Sequence, residues 1–112
     1  MVRATQFEIE CDFQEQTGRL AASGELDMVS APVLEKQALE LLERGASELI
    51  IDLRGLTFVD SSGLRLFIAL NQRATADDWK LALIRPPEPA LTVFRITRAE
   101  ENLPFVDHPR TP

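Results

Sequence analysis

The sequence contains few of the residues that most often carry catalysis. Cys11 is its only cysteine and His108 its only histidine among 112 residues. This pair allows no internal disulfide, no zinc cluster and no thiol–imidazole couple of ordinary geometry. The adjacent carboxylates Asp77 and Asp78 point in different directions, so a solvated loop is a better interpretation than a metal site. We expect no catalytic residue, no metal and no cofactor, and we assign His108 no chemistry.

Long apolar runs are absent as well. Residues 1–5 lead directly into alternating strand sequence without the apolar core of a signal peptide. No later run approaches the length of a membrane-spanning helix. These features predict a cytoplasmic protein with no membrane partner.

Positive charge is scarce. The sequence has 12 lysines and arginines against 18 aspartates and glutamates, which gives a formal net charge of -6. The basic residues are scattered among acidic ones, so no basic patch overrides the repulsion between this chain and nucleic acid phosphates. We therefore expect no nucleic acid partner.

The remaining composition is that of one folded domain. Hydrophobic residues make up 45% and charged residues 27% of a chain whose length fits one compact core. We predict a single domain spanning residues 1–112, with a folded core at about 6–106. The polar, proline-rich segment 107–112 is expected to form a flexible tail.

The first half of the chain alternates between strand and helix patterns. Residues 6–13 alternate strictly between apolar and polar side chains, and a turn at 16–18 leads to a second apolar run, which predicts an antiparallel hairpin. Ser30 as the helix cap and Pro32 in the first turn then fit the start of a helix that Gly45 would end. The run 49–53 is typical of a buried parallel strand.

The second half continues this alternation. After a bend at Arg54-Gly55 we predict a helix from Ser61 to about residue 74, a strand at 80–84, a helix at 90–97 and a short strand near 103–106. Trp79 precedes the strand at 80–84 and is expected to cover the sheet edge. The predicted fold is therefore an α/β domain with a mostly parallel sheet opened by an antiparallel hairpin, in the order ββαβαβαβ.

The segment Asp60-Ser61-Ser62-Gly63 lies where a strand is predicted to meet a helix. A helix start offers unpaired N–H groups and positive potential, and phosphorylation of a serine there would add about -1.5 to -2 charges next to Asp60. The structural alternative is that Ser61 or Ser62 caps the helix, Asp60 supports the turn and Gly63 permits close packing. Spacing alone favours this alternative, because capping serines are common.

The helix after this segment has two apolar stripes. Leu64, Phe67 and Ile68 share one face, and Leu66 and Leu70 lie nearly opposite. One stripe should face the core. The other would pack on a neighbouring helix or remain exposed as a partner-binding patch.

The order of elements, together with Gly24-Glu25-Leu26-Asp27 and Val59-Asp60-Ser61-Ser62-Gly63-Leu64, resembles the STAS family over about residues 7–106. Its bacterial anti-sigma factor antagonists are regulators of transcription, not enzymes. The resemblance implies a monomer that binds an anti-sigma factor, itself a serine kinase with a Bergerat-type ATP fold, and so frees the sigma factor. Phosphorylation of the serine after the motif aspartate switches binding off, and a metal-dependent phosphatase restores it.

Carried over to this chain, the resemblance implies phosphorylation at Ser61, with Ser62 as the second choice. It also implies a partner-binding surface composed of Asp27, Asp60, Ser62, Gly63, Arg65, Leu66 and Leu70. For Asp27 the alternative is a turn aspartate that accepts hydrogen bonds from local N–H groups. Arg65 departs from the family pattern, where many relatives have a small residue. Its guanidinium could pair with a phosphate on Ser61 or with an acidic partner, or be solvated.

Two other functions are compatible with the same fold. A STAS domain that is never phosphorylated could act as a scaffold or as a subunit associated with a transporter. An enzyme or small-ligand sensor could use the ends of the strands, as open α/β sheets often do. The intact Ser61 favours the switch over the scaffold, and the missing nucleophile, base and phosphate loop weigh against the enzyme.

Overall fold

The computed structural model describes residues 7–107 of the chain. Five strands form one sheet: β1 (Phe7–Gln14), β2 (Thr17–Leu26), β3 (Glu48–Val59), β4 (Lys80–Ile84) and β5 (Phe105–Val106). Four helices connect them: α1 (Ala31–Glu43), α2 (Ser61–Asp77), α3 (Ala90–Ile96) and α4 (Ala99–Asn102). Residues 1–5, His108 and the rest of the predicted tail lie outside the described residues, whereas Asp107 lies inside and pairs with Arg85 at 2.9 Å.

The strands lie in the sheet in the order in which they occur in the chain, β1-β2-β3-β4-β5. Only β1 and β2 pair antiparallel, and each later strand pairs parallel to the one before it. The predicted mostly parallel sheet with an opening hairpin is confirmed. No helix within residues 7–107 is both long and apolar enough to cross a membrane.

The hairpin between β1 and β2 turns at Glu15 and Gln16, one residue before the predicted position. Both residues have positive φ, 52° and 69°. Positive φ at both central residues is the geometry of the two-residue turns whose twist matches that of the strands. Along β1 the predicted alternation holds for Phe7, Ile9 and Phe13, which are half-buried, whereas Cys11 is exposed.

Two predictions of element boundaries are wrong. The chain does not bend at Arg54-Gly55, because β3 runs without interruption to Val59. The pairing of β2 with β3 shifts register instead, between Ala21 and Ser23 and again after Gly24, and at each shift β3 has one residue more than β2. The chain also forms the short helix α4 after α3, so the order over the described residues is ββαβαβααβ.

The core is one cluster of apolar side chains between the helices and one face of the sheet. Leu49, Ile51 and Leu53 of β3 are fully buried at its centre. Helix α1 contributes Leu34, Ala38 and Leu41 at the predicted spacing, and it ends where Gly45 adopts a φ of +105°. Trp79 packs against this cluster.

Helix α2 faces the core with a stripe that lies between the two predicted ones. Its buried residues follow the spacing i, i+3, i+4, i+7 and i+11: Gly63, Leu66, Phe67, Leu70 and Ala74. Leu66 is 6% exposed and Leu70 is 1% exposed, whereas Ile68 is 43% exposed. The prediction of a partner-binding patch at Leu66 and Leu70 is therefore wrong, because both side chains lie in the hydrophobic core.

Gly55 allows β2 and β3 to approach closely at the irregular stretch. A Cβ at this position would lie 2.6 Å from Ser23 Cβ and 3.1 Å from the Ala22 carbonyl oxygen. We expect Gly55→Ala to lower the free energy of unfolding by about 1–3 kcal/mol, the usual cost of forcing atoms into filled space. Urea unfolding followed by Trp79 fluorescence measures this loss.

The matched control is Thr57→Val, an exposed position two residues further along β3. Both residues are β-branched, so the change should stay within about 0.5 kcal/mol. Equal stabilities of Gly55→Ala and the wild type would show that the strands do not need this close approach.

Candidate functional site

Two loops meet at the carboxyl ends of β2 and β3. Because these strands are parallel and Leu26 pairs with Val59, the segments that follow them leave the sheet side by side. The Asp60 N–H donates to the Leu26 carbonyl oxygen at 3.1 Å and ties the two segments together. The turn at Asp27 therefore lies beside the start of α2, as the resemblance implied.

Asp27 organises the loop between β2 and α1. Its Oδ1 accepts hydrogen bonds from the N–H groups of Val29 and Ser30, both at 3.0 Å. These bonds, above all the one from Ser30, hold the pKa of the Asp27 carboxyl below its ordinary value. Asp27 therefore acts as a turn aspartate that accepts hydrogen bonds from local N–H groups, which was the alternative interpretation of this residue.

Ser30 occupies the N-cap position of α1 but does not cap the helix with its side chain. Its hydroxyl instead donates to the Glu25 carbonyl oxygen at 2.7 Å and accepts from the Asp27 N–H at 2.9 Å. The predicted helix start is correct, but the predicted role of Ser30 is wrong. Its side chain holds the turn closed, because two backbone groups of the turn are within its reach.

Asp60, not a serine, caps α2. Its backbone is extended, with a φ of -117°, and its Oδ1 accepts from the N–H groups of Ser62 at 2.8 Å and Gly63 at 3.4 Å. Capping by Ser61 or Ser62 is thus wrong. Ser61 becomes the first residue of α2, with an exposed side chain that forms no hydrogen bond with any described residue.

The other predicted site residues divide into two groups. Ser62 is half-buried and Arg65 is exposed on α2, so both border the solvent-facing surface to which Ser61 belongs. Gly63 is buried beneath it, where a Cβ would lie 2.7 Å from Val59 Cγ2 and 2.8 Å from Leu26 Cδ2. Gly63 thus lets α2 pack closely on the strand ends, and its burial contradicts the predicted direct contact. We call the surface formed by Asp27, Asp60, Ser61, Ser62 and Arg65 the Ser61 corner.

The sequence interpretation missed the exposed apolar side chains of Met28, Val29 and Val33 near this corner. Met28 is 75% exposed and Val29 is 76% exposed, directly after Asp27 in the turn. Val33 in the first turn of α1 and Ile68 on α2 are also exposed. The sequence did contain a signal for this surface: two consecutive large apolar residues lie in a short turn between a strand and a helix. Such a turn has no core in which to bury them, so they are expected to be exposed.

Residues 7–107 contain no group of three or more side chains that could hold a metal ion. Asp77 closes α2, and Asp78 follows it with left-handed backbone, a φ of 60°. Both side chains are exposed at the end of the helix opposite to Ser61. The two carboxylates therefore lie apart from the Ser61 corner.

Solved structures share this fold. The chain aligns with an anti-sigma factor antagonist from Mycobacterium paratuberculosis with a TM-score of 0.76 and 22% identity, covering 91% of this chain and 86% of that one. Unphosphorylated SpoIIAA aligns with a TM-score of 0.76 and 20% identity, covering 92% of this chain and 90% of that one. At these identities the likeness establishes the fold.

Sequence comparisons establish the family. The anti-sigma-B factor antagonist of Bacillus subtilis is 35% identical over 75 residues, which is 67% of this chain and 68% of that protein. The protein of the same name from Staphylococcus aureus strain NCTC 8325 is 26% identical over 89 residues, 80% of this chain and 82% of that protein. A family model described as "Mlab, STAS domain" matches residues 9–106. The chain therefore belongs to the STAS domain family.

Proposed function

We propose that this protein is an anti-sigma factor antagonist whose binding is switched by phosphorylation of Ser61. In the unphosphorylated form it binds an anti-sigma factor with serine kinase activity through the Ser61 corner, and the sigma factor is released. The observation that carries the proposal is the position of Ser61. Its side chain is exposed and unbonded to any described residue at the start of α2, next to the Asp27 turn.

The relatives support this function. Proteins from Bacillus subtilis and Staphylococcus aureus that match most of the chain carry the name anti-sigma-B factor antagonist. SpoIIAA, whose fold this chain shares, has been solved in unphosphorylated and phosphorylated forms. A phosphorylated form of a protein with this fold is consistent with a switch that leaves the fold intact.

The structure favours Ser61 over Ser62 as the phosphate acceptor. Ser62 is half-buried, and its backbone N–H is fixed by the Asp60 carboxylate at 2.8 Å. Ser61 lies between the two residues that this hydrogen bond joins, and its side chain is exposed to solvent. A kinase must surround the acceptor hydroxyl, so the exposed residue is the better substrate.

The apolar side chains beside the corner supply the binding energy in this proposal. Met28 and Val29 are mostly exposed, and each would be removed from water when a partner docks. Burying one such side chain stabilises a complex by roughly 1.5–3 kcal/mol. Asp27 holds the turn after β2 in position and Asp60 holds the start of α2, since each side chain accepts hydrogen bonds from backbone N–H groups that follow it in the chain.

Phosphorylation would oppose this docking in two ways. It adds about -1.5 to -2 charges beside the Asp60 carboxylate, where an approaching acidic group is repelled. It also places a strongly hydrated group next to an apolar surface, and burying that group without partners is costly. Removal of the phosphate by a metal-dependent phosphatase would restore the binding form. All of these steps would take place in the cytoplasm, and the protein itself performs no catalysis.

The identity of the phosphate-accepting serine is tested by incubating the protein with ATP and each candidate anti-sigma kinase encoded in the same genome. We expect mass spectrometry to find phosphate on Ser61 of the wild type, and pull-down to show that the phosphorylated protein no longer binds. Ser61→Ala should remain unphosphorylated and keep binding, and Ser61→Asp should bind less tightly than the wild type.

Ser62→Ala is the matched control and should still be phosphorylated. Phosphate that persists in Ser61→Ala would move the acceptor to Ser62. Binding of a partner without any phosphorylation would instead support a STAS scaffold that is not switched.

The contribution of the exposed apolar side chains to partner binding is tested by the double substitution Met28→Ser and Val29→Ser. Because both side chains are largely exposed, we expect unchanged stability and at least about a tenfold weaker affinity for the anti-sigma factor. Ile96→Ser, a change at a residue 73% exposed on α3, is the control and should bind like the wild type. Equal affinities of all three proteins, measured by calorimetry, would place the docking surface elsewhere.

A further inference from the structure

Arg65 has no partner among the described residues of this acidic protein. Its side chain is exposed on α2 and forms neither an ion pair nor a hydrogen bond with any residue of 7–107. Four other arginines in the same range form ion pairs with carboxylates, and these are Arg54, Arg85, Arg95 and Arg98. The guanidinium of Arg65 is therefore available to a group that the unmodified chain does not contain.

Ser61 and Arg65 occupy positions i and i+4 of the same helix, and both side chains are exposed. Side chains at this spacing lie on one face, with Cβ atoms about 5–6 Å apart. A guanidinium can bind a phosphate through two parallel hydrogen bonds, which gives both strength and a fixed geometry. Arg65 is also the only basic residue between positions 60 and 68.

Two backbone N–H groups at the start of α2 are already engaged. The N–H groups of Ser62 and Gly63 already donate to the Asp60 carboxylate, at 2.8 Å and 3.4 Å. The other charged groups that the loops bring to this edge are carboxylates, Asp27 and Glu25 beside Asp60. Within residues 7–107, Arg65 is therefore a cation placed to neutralise a phosphate on Ser61.

We infer that Arg65 exchanges one partner for another when Ser61 is phosphorylated. In the unphosphorylated protein its guanidinium binds an acidic group of the anti-sigma factor. After phosphorylation it binds the phosphate on Ser61 within the same helix. One modification then adds negative charge to the docking surface and also withdraws its cation. The inference rests on the proposed function and assigns a regulatory contact to the same site.

The intramolecular contact is tested without a kinase. Phosphoserine is incorporated at position 61 during synthesis of the protein, and the second ionisation of the phosphate is followed by ³¹P NMR across pH 4–9. A nearby cation stabilises the dianion and lowers its pKa, so removing the cation must raise the pKa. We expect the pKa of the phosphate to rise by roughly 0.3 in Arg65→Gln.

Arg73→Gln is the matched control, because Arg73 is exposed on the same helix but twelve positions from Ser61. It should titrate like the wild type, and Arg65→Lys should fall between the wild type and Arg65→Gln. The differences should shrink in about 1 M salt, which screens exposed charges over a few ångströms. A role of Arg65 in folding alone would leave the phosphate titration unchanged.

The intermolecular contact is tested by calorimetry with unphosphorylated protein and the anti-sigma factor. Arg65→Gln should bind several-fold more weakly than the wild type, and Arg73→Gln should bind equally well. Equal phosphate titrations, or equal affinities, of Arg65→Gln and wild type would overturn the inference. A kinase assay that leaves Ser61 unmodified would defeat the proposed switch without altering the titration, so the two failures are distinguishable.

Discussion

The two roles of Asp60 determine the geometry on which the rest of the site depends. Its N–H donates to the Leu26 carbonyl oxygen and joins the ends of β2 and β3, while its carboxylate caps α2. A residue with extended backbone can do both, because it belongs neither to the strand nor to the helix. Ser61 follows at the first helical position with its side chain in solvent. The capping aspartate thereby leaves the neighbouring serine available for modification.

The second loop repeats this arrangement. Asp27 follows β2 as Asp60 follows β3, and each carboxylate accepts hydrogen bonds from two N–H groups that lie two and three residues further along the chain. Parallel pairing of β2 and β3 places the two capped loops side by side. Such loops hold exposed apolar residues in place without burying them, because the backbone is fixed by hydrogen bonds. Met28 and Val29 therefore remain in solvent on a turn fixed by hydrogen bonds, which would lower the entropic cost of the proposed binding.

Helix α2 separates the core from the proposed partner surface around its circumference. Leu66, Phe67 and Leu70 anchor one side in the hydrophobic cluster, and Ser61 and Arg65 lie on the exposed side. The proposed phosphorylation on the exposed side would change charge without disturbing packing, since interiors tolerate new charge poorly and solvated helix faces accept it. A switch of this kind can act on a partner while the fold stays constant.

The sequence by itself determined the elements whose signals are local: the hairpin from its alternation, α1 from its helical spacing and Gly45, and the strand Lys80–Ile84 at the predicted bounds. Tertiary structure decided which stripe of α2 is buried, because apolar residues occur on several sides of that helix and only the sheet selects among them. It also decided that Asp60 caps the helix and that β3 passes through Gly55, because both depend on contacts with β2. Local patterns record periodicity, whereas burial and hydrogen-bond partners depend on residues distant in the chain.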